Sequence, residues 1–250
     1  LISIDLPFNI TSIDNVAFGS NEKLTNITIP EACTYIGHHA FERNYDLVNI
    51  SIPKAVSFLG YSAFESCYNI TKITVYNTCK KIDEKTFYKC HKLTTVIIHE
   101  GIDEIKKYAF SECYSLSSIS LPNTIAKFTE GVFQQCYSLQ SIIMPDSIGV
   151  IESNAFRYCS SLQFIKFSKN IVSIGSYVFD YCRVLRSINL PSKITRIGEY
   201  SFSHCFIVSS IILPDSLVNI GRNAFESNYL VKSLVIPENV TLIPEETFMN

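Results

Sequence analysis

The fold is decided by residues 185–205, where Leu185-Arg186-Ser187-Ile188-Asn189-Leu190-Pro191 leads through Ile194 to Ile197-Gly198 and then to Ser201-Phe202-Ser203-His204-Cys205. Ile188 and Leu190 alternate with Ser187 and Asn189, the period of two expected of a strand with one buried face. Pro191 ends that strand because it has no N–H to donate. Moving 23 residues in either direction lands on the same pattern. Phe202 has counterparts at 18, 41, 64, 87, 110, 133, 156, 179, 225 and 248, with no insertion or deletion. Six residues after each Phe stands Leu, Ile or Val, from Leu24 and Leu47 through Leu185 to Val208 and Val231. The Pro191 position is Pro again at 30, 53, 122, 145, 214 and 237, and becomes Tyr76, His99 or Ser168 elsewhere.

A second apolar pair precedes each Phe by eight and five residues, as in Ile171 and Ile174 or Leu217 and Ile220, and predicts a further short extended or turn segment. Roughly eight phases of each 23-residue unit are then inward. One unit cannot build a core from so few, so each must bury its face against its neighbours. The prediction is a repeat solenoid, mainly β, with 1–250 as a single domain of about eleven coils. Leu1-Ile2-Ser3 opens in mid-pattern, and the chain is expected to be a segment of a longer array, cut at both ends.

The unit LxxIxLPxxIxxIGxxAFxxC resembles the 23-residue BspA-type leucine-rich repeat over the whole chain, with departures such as Asp83, Lys106 and Glu152 where Gly is usual. The resemblance implies a right-handed arc with a parallel concave β-sheet and short strands or 3-10 turns on the convex side. It also implies a surface or secreted protein of bacterial or protist type that adheres to host cells, cell-surface proteins or extracellular-matrix proteins.

Composition narrows the alternatives. With 21 Lys plus Arg against 23 Asp plus Glu, a net charge of −2 supplies no field for nucleic acid or an anionic membrane. No apolar run approaches the length that spans a bilayer. Nine cysteines would suggest disulfides in a surface protein, but Cys67, Cys90, Cys113, Cys136, Cys159, Cys182 and Cys205 all stand three residues after a Phe, and Cys33 and Cys79 take an inward apolar phase. Asn21, Asn44 and Asn228 hold the Phe+3 phase in other coils, and Asn can replace Cys as a hydrogen-bond partner but not in a disulfide. A structural ladder of buried thiols is therefore expected, with bonds between adjacent rungs as the rival. No ligand spacing calls for a metal, and nothing calls for a cofactor. His38, His39, His91, His99 and His204 fall outside the inward phases and read as solvated rim residues. Without a nucleophile elbow, P-loop or dinucleotide fingerprint, no catalytic residue is assigned and the chain reads as not an enzyme.

Recognition remains. All 14 Tyr lie in edge or loop phases. The strand positions between inward residues should face the concave side, and most are small and polar, as Asn26, Thr28, Asn49 and Ser51 are. Asn26 and Asn49 also begin glycosylation sequons. Larger groups interrupt this background: Ile97, Ile143, Phe164, Lys166 and Ile212, with Gln163, Arg186 and Asn189 alongside. Contiguous exposed apolar groups mark interaction surfaces, so these eight residues form the candidate protein-binding patch, with Phe164 as anchor. Three roles follow: a protein-binding module of a surface adhesin, an intracellular interaction scaffold, or an array that associates with copies of itself.

Overall fold

The computed structural model describes residues 1–250, which contain no helix and divide into two compact units, Leu1–Thr124 and Ile125–Asn250. The first holds β1 (Ser3–Ile4), β2 (Ser12–Ile13), β3 (Asn26–Ile27), β4 (Tyr35–Ile36), β5 (Phe58–Leu59), β6 (Lys72–Val75), β7 (Lys81–Ile82), β8 (Thr95–Ile98), β9 (Glu104–Ile105) and β10 (Ser118–Ser120). The second holds β11 (Lys127–Phe128), β12 (Ser141–Ile143), β13 (Val150–Ile151), β14 (Phe164–Lys166), β15 (Ser173–Ile174), β16 (Ser187–Asn189), β17 (Arg196–Ile197), β18 (Ser210–Ile212) and β19 (Asn219–Ile220). Every pairing is parallel between residues 23 apart, Ser3 beside Asn26 and Ser141 beside Phe164.

Two kinds of ladder alternate within each unit. The first contains β1–β3 and β6–β8–β10 in one unit and β12–β14 and β16–β18 in the other. The second contains β2–β4–β5 and β7–β9, then β11–β13–β15–β17–β19. Each unit is thus a parallel-strand solenoid, and the side away from the first ladder uses two-residue strands and turns. The alternation in sequence becomes alternation in burial: Ile142, Ile188 and Ile211 are inward while Ile143, Asn189 and Ile212 face solvent.

A third set of coil-to-coil bonds surrounds each Phe. In the second unit Asn154, Phe156 and Tyr158 donate their N–H groups to the carbonyls of Ser176, Val178 and Asp180, and the next coil repeats this from Tyr177, Phe179 and Tyr181. The residues two before and two after each Phe from Phe18 to Phe225 adopt left-handed backbone, at φ 51 to 62°, and all but Gly131 are non-glycine. Glycine serves elsewhere. At Gly60 and Gly198 an added Cβ would lie 2.5 Å from the backbone of Gly37 or Gly175 on the preceding coil, so absence of a side chain sets the approach there.

Behind these turns the Phe rings stack in columns. Phe41 and Phe64 lie 5.2 Å apart with planes within 2°, and Phe179 sits between Phe156 at 5.4 Å and Phe202 at 5.1 Å. These rings are fully buried and carry much of the apolar stabilisation. Beside them the nine cysteines are buried thiols with no sulfur–sulfur bond. Cys67 donates to the Phe41 carbonyl at 3.1 Å and Cys159 to that of Phe133 at 3.2 Å, one coil back. Asn44 performs the same task through Nδ2, reaching Phe18 O at 2.8 Å and Phe41 O at 2.7 Å.

Candidate functional site

The outward face of the first ladder carries the candidate residues because alternate strand positions have nowhere inward to go. Ile143, Phe164 and Ile212 are 62%, 55% and 58% exposed, values far from those of core side chains. Register fixes their neighbours. Ile143 stands beside Lys166, Phe164 beside Ser141, and Asn189 beside Ile212. Gln163 and Arg186 immediately precede β14 and β16, and both are exposed. Ile97 lies instead on the first unit, flanked in register by Thr74 and Ser120. The structure therefore joins Ile143 to Lys166 and Ile212 to Asn189 directly, whereas β14 and β16 are not paired to each other.

Two features of this face have no signature in the strand pattern. The ladder stops at β18, although Ser233-Leu234-Val235 continues its phases, and a cleft of about 340 Å³ opens between them, lined by Ile212, Leu213, Leu234 and Val235 with serine hydroxyls. On the first unit the equivalent strand positions line a groove around Thr28, Asn49, Ser51, Lys72 and Tyr76, in which Asn49 donates to the Asn26 amide oxygen at 3.2 Å. That groove offers hydrogen bonds, with Val48 as its one strongly exposed aliphatic side chain.

The structure corrects the reading of the histidines as solvated for His38, His39, His91 and His204, which are half-buried, whereas His99 is exposed as expected. His91 is sandwiched between Tyr68 at 4.5 Å and Tyr114 at 4.3 Å, and burial lowers its pKa. His99 stacks on Tyr76, and His204 on Tyr181 at 4.1 Å. The phases alone missed this because stacking on the equivalent ring of the next coil is a property of two coils.

His204 also meets Ser203 Oγ at 2.6 Å and Asp180 at 3.3 Å, residue types of a nucleophilic triad. Both contacts use the same Nδ1, so the ring cannot pass a proton from one to the other, and the Ser203 side chain is buried. Asp180 is structural. Burial raises its pKa, opposed by Arg157, whose Nε lies 3.0 Å away and whose guanidinium is held between the rings of Tyr158 and Tyr177.

Short parallel strands in stacked 23-residue coils, with Phe and Cys at fixed phases, agree with the comparison of the sequence against known families. The BspA type leucine rich repeat region (6 copies) matches residues 1–71, 58–184 and 149–250. The chain belongs to this family. Its solved relatives include a leucine-rich repeat protein from Bacteroides ovatus, 26% identical, with TM-score 0.72 over 96% of this chain and 76% of that one. The pneumococcal vaccine antigen PcpA shares the fold at 19% identity and TM-score 0.51, over 97% of this chain and 64% of that one. No curated protein matches the chain. No helix of this BspA-type chain is long and apolar enough to cross a membrane.

Proposed function

We propose that this chain is the protein-binding part of a surface adhesin or antigen and that it holds a host-cell or matrix protein on the first-ladder face of its second unit. The observation that carries the reading is the exposure of Ile143, Phe164 and Ile212 on a face whose other outward strand positions are Ser141, Lys166, Ser187, Asn189 and Ser210. Large apolar side chains held on a rigid sheet lose little entropy on binding and supply the anchors that dominate interface energetics. Membership of the BspA-type family supports the surface location.

The test is to present immobilised matrix and cell-surface proteins to the chain and to a Phe164→Ser/Lys166→Glu double variant that keeps its circular dichroism. The variant should lose most of the binding, whereas Asn49→Ala on the first unit should keep it. Undiminished binding by the double variant would move the site to the tyrosine edge. A second reading, an intracellular scaffold using the same face, is favoured by the nine unbridged thiols, which suit a reducing compartment. External protease added to intact cells that make the protein separates the two, because only a surface protein is cleaved.

A further inference from the structure

The second unit carries cations and carboxylates in near balance, but the outward positions of its first-ladder strands hold no carboxylate, with Asp146, Asp215 and Glu238 standing past the strand ends and the cleft segment. Away from the first-ladder face, Lys127 pairs with Glu152 at 2.7 Å, Arg157 with Asp180 at 3.0 Å and Arg222 with Glu246 at 3.2 Å. On that face the outward positions of β12, β14, β16 and β18, and the residues just before those strands, include Lys166 and Arg186 but no Asp or Glu. Lys232 holds the same phase as Arg186 two coils on and borders the segment that forms the cleft. Asp146, past the end of β12, is within electrostatic reach of Lys166 but is held by Lys169 at 2.8 Å.

Register makes this layout selective. Ile143 and Lys166 are direct neighbours, so a partner that covers the isoleucine also strips water from the ammonium. A neutral apolar surface would leave that charge partly desolvated and unpaired, whereas a carboxylate opposite it offsets the lost hydration. Arg186 adds a second cation just before β16, beside Ser209 and three residues short of the Asn189–Ile212 pair. The cleft between β18 and residues 233–235 adds a recess that the flat part of the face lacks, with Ile212, Leu213, Leu234 and Val235 set among serines.

We propose that the partner taken by this face is an acidic protein segment, its carboxylates opposite Lys166 and Arg186 and an apolar side chain entering the cleft beside Ile212. This rests on the docking face of the preceding subsection and adds the partner's chemistry. The probe is a fluorescein-labelled synthetic peptide in which Glu and Asp flank a central Leu and Phe, with a Gln and Asn version as control, read by fluorescence anisotropy on the full chain.

The acidic peptide should bind about tenfold tighter than the control at about 50 mM salt, and the difference should collapse toward about 500 mM as screening shortens the Debye length. A Lys166→Glu/Arg186→Glu variant should abolish the preference, while Ile212→Ser should weaken both peptides alike. Equal binding of the two peptides, lowered for both by Ile212→Ser, would keep the docking face and overturn the acidic partner. Binding that neither variant changes would overturn the face itself, and so would no binding of either peptide.

Discussion

At the position three residues after each Phe, the fold asks for a small buried donor aimed at a carbonyl one coil back. A thiol meets that demand with one weak bond and nothing left over. The amide of Asn44 or Asn228 makes two shorter bonds, but its Oδ1 remains buried without a partner. An unmet acceptor costs about 1 to 3 kcal/mol, and the stronger amide bonds return a similar amount. Cys159→Asn should therefore change stability by less than about 1 kcal/mol in urea unfolding, while Cys159→Ala, which loses the bond and leaves a void, should cost about 1 to 2 kcal/mol. A different balance operates at Asp83, which replaces the usual glycine. Burial pushes its pKa up, but the Glu84 N–H and the ammonium groups of Lys81 and Lys106, at 3.0 and 3.2 Å, outweigh this and hold the carboxyl below its ordinary value. A depressed carboxyl contributes stability above its unfolded pKa, about 4, and loses it as pH falls through the folded value. Acid unfolding of Asp83→Asn should lack that increment, its difference from the parent chain shrinking as pH drops below about 4.

At the scale of the coil, the parts legible in the sequence are those that burial dictates. Phe, Leu and Ile recur because each inward phase must be apolar and of constant size for rings such as Phe179 to stack on their neighbours. Phe179→Ala should cost about 3 to 5 kcal/mol in chemical denaturation, since rings on both sides hold the cavity open. The third set of coil-to-coil bonds left no such trace. It is made by backbone groups, and its left-handed positions accept Val16, Lys85, Tyr108 and Glu112 with no common chemistry. Those conformations carry strain, and for a β-branched residue the strain is largest. Val16→Asn should then raise stability by about 1 kcal/mol, as the difference between a branched side chain and one that tolerates φ above zero. The glycines that the sequence did display have another purpose. Gly198→Ala meets backbone 2.5 Å away, which cannot rotate aside, and should destabilise by about 1 to 3 kcal/mol.

At the scale of the molecule, the candidate site was legible as a list of outward phases but not as a surface. Phase arithmetic identifies Ile97, Ile143, Phe164 and Ile212 equally, and only the strand pairings separate Ile97 on one unit from the others on the second. The cleft beside Ile212 depends on where pairing stops, which no repeat consensus encodes. The thiol ladder raises the opposite question, how nine cysteines could persist at an oxidising surface. Burial pushes the Cys67, Cys159 and Cys205 thiols far above their ordinary pKa, and each spends its hydrogen on a carbonyl of the neighbouring coil. The thiolate is the reactive species in oxidation and exchange, so both its concentration and its accessibility are suppressed while the coils stay stacked. A chromogenic thiol reagent should find almost no reaction with the native chain and nine equivalents after denaturation without reductant. Fewer than nine would reveal disulfides between rungs, and rapid reaction before unfolding would show that the coils part often enough to admit the reagent.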